Sequence, residues 1–133
     1  MRFARLLYLT FCLCFTISSH TLAVELSGSA APTSPDQEMQ QGKERFHQGA
    51  FAQAAVHWMN AAGLYEQQER PQQQCQALIN LAHALEQGGQ IKRAQVTLQT
   101  ALKLSEQSGN RALTATILGR LGSAAYALGK GSQ

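Results

Sequence analysis

The sequence predicts an all-α protein, an α-solenoid of antiparallel helix pairs with five helices, making two full repeats and half of a third. Three observations carry this. Glycine returns every 40 residues, at Gly49, Gly89 and Gly129, and a fixed period in the tens of residues marks a repeat array. Within each unit the apolar residues recur at steps of three and four, which is one face of a helix. The composition is 44% hydrophobic but only 14% charged, with three prolines and a single tryptophan, Trp58. That balance disfavours the turn-rich, β-branched pattern of a sandwich or barrel. A chain of 133 residues holds one such domain.

Residues 1–23 divide into three zones. Arg2 and Arg5 form a positive start, Leu6 to Ile17 is an apolar run of 12 residues, and a polar stretch ends at Thr21-Leu22-Ala23 with a small side chain at its edge. This is the layout of a secretory signal peptide. The run is shorter than the about 20 apolar residues of a spanning helix. The segment is therefore expected to be removed, leaving an exported chain, periplasmic or extracellular, with no stable membrane insertion. Cys12 and Cys14 lie inside the apolar run, so Cys75 alone remains and no disulfide framework can form within one mature chain. Cys75 is expected to be a small buried residue.

Residues 24–35 carry Gly28, Pro32 and Pro35 among small polar residues and read as a flexible linker. The repeat domain is expected over 36–130, with Ser34 or Asp36 capping its first helix. That helix is polar, crowded by Gln40, Gln41, Lys43, Glu44 and Arg45, as the outer face of an end repeat should be. Phe51, Ala54, Ala55, Trp58, Ala61, Ala62 and Tyr65 place the next helix near 51–69. Pro71 suits the start of a third, near 72–87, on Leu78, Leu81, Ala82 and Leu85. Ile91, Ala94, Leu98, Ala101 and Leu102 define a fourth near 91–107. Leu118, Leu121, Gly122 and Ala125 define a fifth near 111–128. Turns fall at Gly49-Ala50, Gly88-Gly89-Gln90 and Gly129, where glycine tolerates the left-handed conformation that ends a helix.

An offset of 40 aligns more than the turns. Gly42 falls on Ala82 and Gly122, Ala54 on Ala94, Trp58 on Leu98, and Ala61 on Ala101. Small residues beside large ones let neighbouring helices interdigitate. After Gly129 no second helix completes the third unit. Leu118, Leu121 and Ala125 should then need cover from further array, another protein or another copy, because leaving a few hundred Å² of apolar surface wet forgoes on the order of 5–10 kcal/mol. Self-association through 111–128 is one expectation.

The series Gly42/Ala82/Gly122, Gly49/Gly89/Gly129, Ala54/Ala94, Trp58/Leu98 and Ala61/Ala101 resembles the tetratricopeptide repeat (TPR) family. The resemblance covers about residues 36–130, with a period of 40 in place of the family's about 34. The extra length falls around Tyr65 to Arg70 and Ser105 to Asn110. Segments 80–85 and 118–126 are similar to long-period arrays upstream of CHAT peptidase-like domains in exported bacterial proteins, though these residues contain no such domain. The resemblance implies a fold whose first helices line a concave face for a protein or peptide. Its inward positions, carried over one by one, are Met39, Gln40, Lys43 and Phe46; then Ile79, Asn80, His83 and Glu86; then Thr116, Arg120, Ser123 and Tyr126. The candidate binding residues are Lys43, Phe46, Asn80, His83, Glu86, Arg120, Ser123 and Tyr126. Asn80 and Arg120 stand where some members hold a peptide carboxylate, but Met39, Lys43 and Thr116 break that pattern.

No enzymatic constellation accompanies the repeat. His47 and His57 lie on different helices, and His83 with Glu86 supplies at most two ligands where a closed zinc site needs about four. No Gly-rich phosphate loop or nucleophile–base order is present, so no cofactor or metal is expected. The formal charge of +3 falls to +1 without Arg2 and Arg5, and the remaining Lys and Arg are scattered. That argues against nucleic acid. Two functional expectations follow: a noncatalytic binding or scaffolding module outside the cytoplasm, or the N-terminal regulatory array of a CHAT-type peptidase-like protein.

Overall fold

The structure is a computed structural model that describes residues 33–130. The expected signal peptide at 1–23 and almost all of the 24–35 linker, with Cys12 and Cys14, lie outside the described residues. Five helices follow in order: α1 (Pro35–His47), α2 (Phe51–Gln67), α3 (Pro71–Gln87), α4 (Ile91–Gln107) and α5 (Arg111–Lys130). No strand occurs among the described residues. Each helix packs on the next, and α3 also touches α5. Turns of three residues force consecutive neighbours to run antiparallel.

α1 starts at Pro35, the last residue assigned to the linker, and of the two expected caps Ser34 is the one used. Ser34 closes a capping box: its Oγ accepts from the Gln37 amide at 3.2 Å, and Gln37 Oε1 accepts from the Ser34 amide at 3.0 Å. Asp36 and Glu38 sit in its first turn and Arg45 and His47 in its last, the favourable order for the helix dipole.

The helix ends repeat one geometry. At each of four junctions one residue takes the left-handed conformation: Gly49 (φ 75°), Glu69 (φ 53°), Gly89 (φ 74°) and Gly109 (φ 65°). At each, the following amide reaches back five residues. Ala50 donates to Arg45 O at 2.9 Å, Arg70 to Tyr65 O at 2.9 Å, Gln90 to Leu85 O at 2.7 Å and Asn110 to Ser105 O at 3.0 Å. With the accompanying bonds from residues 49, 69, 89 and 109 at 3.0–3.1 Å, these are four Schellman motifs. The carbonyls of Ala50, Arg70, Gln90 and Asn110 then accept the first amide bond of the next helix, at 3.0 Å. One residue thus closes one helix and opens the next. The turns fall every 20 residues, so the 40-residue sequence period contains a structural half-period.

Gly129 corrects the expectation of a third glycine turn: α5 runs through it to Lys130. Two residues after Gly49 and Gly89 stand Phe51 and Ile91, the apolar first residues of the next helices, whereas Gly131 holds that place after Gly129. The burial of α5 matches the expected uncovered face at Leu118 and Ala125 and departs from it at Leu121. Ile117 and Ala124 are its buried residues and Leu121 turns half-inward onto the core, while Leu118 and Ala125 are exposed. The 40-residue offset mapped α5 onto α3, but α3 is covered on two sides, so its apolar arc is wider than the one α5 buries.

The main core joins Trp58, Cys75, Ile79, Leu81, Leu85, Leu98 and Ile117 with the alanines at 54, 82, 94 and 101. Positions 51–60 and 91–100 bury the same registers, with Ala54 and Trp58 matched by Ala94 and Leu98. Gly42 has a particular reason. A Cβ there would meet the Trp58 indole at 2.5–2.9 Å, and Trp58 Nε1 also donates to Met39 O at 3.2 Å. The N–H edge of the indole therefore lies against the α1 backbone at Gly42. Cys75 is fully buried and its thiol donates to Ala101 O at 3.4 Å. Ser105 is buried too, donating to Leu102 O and accepting from Thr114 Oγ1, each at 2.9 Å.

Two opposite substitutions test this packing. Gly42→Ala should destabilise by about 1–3 kcal/mol, because overpacking displaces Trp58. Gly122→Ala, at the same register of α5 with nothing within 4 Å, should stabilise by up to about 1 kcal/mol through helix propensity. Urea unfolding of both variants checks the difference in sign. By the same measurement Glu69→Gly should stabilise by about 1 kcal/mol, relieving the only non-glycine left-handed residue described.

Candidate functional site

The turns place α1, α3 and α5 in one row, with α2 and α4 in the other. Side chains bridge the first row directly. Phe46 of α1 stacks on His83 of α3 with ring centroids 4.6 Å apart. Glu86 of α3 accepts from Arg120 of α5 at 2.9 Å. Four of the candidate residues are thereby brought into one line across three helices.

Beside this line a groove of about 450 Å³ opens between α1 and α3. It is lined by Asp36, Met39, Gln40 and Lys43 from α1, Trp58 and Tyr65 from α2, and Asn80 from α3. Lys43 and Asn80 thus share one cleft. Lys43 makes no ion pair among the described residues. Asn80 Oδ1 accepts from Gln76 Nε2 at 3.3 Å, which orients the amide and leaves its N–H donors for the groove. Trp58 and Tyr65 are 4% exposed each, so the aromatic floor is fixed by core packing.

Tyr65 is held hard. Its hydroxyl donates to Asp36 Oδ1 at 2.5 Å, and the Arg70 guanidinium lies 4.9 Å over its ring. Burial, and then the Asp36 hydrogen bond and charge, push its pKa up to about 12, against a smaller lowering by Arg70. His83 moves the other way. Burial lowers its pKa, the Arg120 charge lowers it further, and Glu86 offsets part of this. The net shift favours the neutral form of the ring that packs on Phe46.

Arg120 is committed to Glu86, and Glu86 Oε1 is buried with no hydrogen-bond partner among the described residues. Arg120 accordingly serves to tie α5 to α3 and offers the groove no free guanidinium. Ser123 is exposed and its Oγ donates to Gly119 O at 3.2 Å. Tyr126 is 66% exposed, with Lys130 Nζ 5.1 Å over its ring, so it stands apart from the Lys43–Asn80 cleft. Ile79 is 3% exposed and belongs to the core.

Three site residues lie outside the sequence reading. Asp36 and Tyr65 form one end of the groove, and Glu38 fastens its back. Glu38 is 7% exposed and lies 2.8 Å from His57 Nδ1, with Asn60 donating to it at 3.4 Å. Their signal is a spacing of 19 to 29 residues, which becomes readable only once the α1–α2 turn is known. Among the described residues no three of His, Cys, Asp and Glu gather as metal ligands, and no helix is long and apolar enough to cross a membrane. Burial raises the pKa of the Cys75 thiol, which disfavours the nucleophilic thiolate.

In comparisons with known proteins, no family model matches the chain and no curated sequence is similar enough to count as a relative.

Tyr65 gives a direct check of the groove's electrostatics. Its folded pKa stands above the value of 10.0 for a free side chain. Its contribution to stability is complete below pH 10 and declines as pH rises towards 12, where the unfolded chain ionises first. Absorbance titration of wild type minus Tyr65→Phe should yield a tyrosinate transition near pH 12. A difference transition at the ordinary value would show that the Asp36 bond is absent in solution.

Proposed function

We propose that this chain is a noncatalytic peptide- or protein-binding module that acts outside the cytoplasm, with the cleft between α1 and α3 as its binding site. The observation that carries the reading is the pairing of uncommitted Lys43 and Asn80 donors above a rigid Trp58–Tyr65 floor. Such a cleft suits an extended segment. A ligand carboxylate or acidic side chain accepts from Lys43 and Asn80, an apolar side chain rests on Met39 and Trp58, and a donor faces Asp36. Few polar groups at fixed positions in an apolar-floored groove are what orient a ligand.

The tetratricopeptide resemblance supports the same use of the row formed by α1, α3 and α5. Export rests on the three-zone layout of residues 1–23. Arg120 contributes by holding the row together, and Phe46 and His83 extend its surface beyond the cleft.

Peptides selected from a randomised display library against the chain should share an acidic group or free carboxylate. Calorimetry should show Lys43→Ala with Asn80→Ala weakening them by at least about tenfold, since a hydrogen bond to a charged group is worth about 1.5–3 kcal/mol. Ser123→Ala, away from the cleft, should leave binding unchanged. A library that yields no enriched peptide, or peptides indifferent to the double substitution, would contradict the groove reading.

A further inference from the structure

α1 and α3 each present a small residue to the core at one register. Gly42 lies under Trp58, and Ala82 is fully buried in the same cluster as Leu98. α5 carries the same register, but no other described residue covers it. Gly122 has nothing within 4 Å of an added Cβ. Leu118 is 52% and Tyr126 66% exposed, and Ala115 and Ala125 are exposed beside them. This face continues the series of interfaces that α1 makes with α2 and α3 with α4.

We propose that a second copy of this chain covers it, through an antiparallel α5–α5 contact. Leu118 and Gly122 lie one helical turn apart on the exposed face, so each copy carries both a projecting side chain and a gap. A two-fold axis midway between them seats each Leu118 over the partner's Gly122. Such an isologous contact is self-complementary and closes. Tyr126 flanks it as an aromatic anchor.

The middle of the face is compatible with a like partner: between Ala112 and Gly129 the only charged residue is Arg120, and its guanidinium is paired with Glu86. Arg111 and Lys130 stand at the two ends, where the antiparallel contact brings one copy's Arg111 near the other's Lys130 at a solvent-screened rim. Head-to-tail stacking lacks a counterpart, because α1 exposes Gln37, Gln41 and Glu44 in place of an apolar helix face. One face of a helix about 30 Å long buries roughly 400 Å² per copy, about half of a standard interface. The dimer is therefore concentration-dependent and not permanent. It leaves the α1–α3 cleft open and is independent of the groove reading.

Sedimentation equilibrium of the full chain over about a hundredfold range of concentration should show a reversible monomer–dimer equilibrium. Gly122→Leu, which fills the gap, and Leu118→Glu should each raise the dissociation constant at least about tenfold. Circular dichroism should remain helical for both. Mixing Leu118→Glu copies with Gly122→Lys copies, each monomeric alone, should restore a heterodimer. Three results overturn the proposal: a monomer throughout the range, assembly beyond a dimer, or a dimer indifferent to both substitutions. A monomer that instead binds a synthetic peptide of residues 91–107 on α5 overturns it in favour of a foreign helix as the occupant.

Discussion

The architecture depends on a turn in which a single residue finishes one helix and begins the next. Ala50, Arg70, Gln90 and Asn110 each donate back to the helix they leave and accept from the helix they enter. With no spare residue in the connection, the chain has little freedom in how successive helices meet. The left-handed residue before each of them makes this possible, and glycine supplies it at three of the four junctions. Stability in such an array is spread over nearest-neighbour interfaces instead of one central core. The contacts follow that rule, since packing runs from each helix to the next, with the smaller α3–α5 contact and the Phe46–His83 contact of α1 with α3 added along the row.

Close approach then decides which residues the interfaces accept. The indole of Trp58 rests on Gly42, and alanines at 54, 61, 94 and 101 are fully buried around the large side chains. Polar groups enter these interfaces only with partners. Glu38 meets His57 and Asn60, Tyr65 meets Asp36, and Ser105 meets Thr114. Glu86 Oε1 is the exception, and a buried acceptor left unpaired costs about 1–3 kcal/mol. The Arg120 bond to the other carboxylate oxygen offsets part of this while joining α3 to α5.

Much of this organisation is legible in the residues. Gly49 and Gly89 mark their turns, Pro71 marks a helix start, and the match of Trp58 to Leu98 marks the core register. The 20-residue half-period is harder to read because Glu69 stands where Gly49, Gly89 and Gly109 carry glycine. At an offset of 40, Glu69 and Gly109 look unrelated, and only backbone geometry shows them to be equivalent. Gly129 misleads in the opposite direction, since it matches the series in type yet lies within α5. Lys43 and Asn80 are reached through the tetratricopeptide resemblance, whose inward positions they occupy, and both line the α1–α3 groove. The Asp36–Tyr65 end is not reached in this way, because it joins residues 29 apart through the α1–α2 crossing.

The candidate site follows from the same constraint. Fixed turns align α1, α3 and α5, and that alignment sets Lys43 opposite Asn80 and Phe46 on His83. If the turns were loose hinges, neither pairing would persist. Native-state hydrogen exchange at the Arg70 and Gln90 amides tests this most directly, since these donate to Tyr65 O and Leu85 O at 2.9 and 2.7 Å. Rigid turns predict protection close to that of the flanking helix interiors, with exchange only through unfolding of the array. Exchange of these amides at the rate of an unstructured loop, while the helices stay protected, would contradict the account.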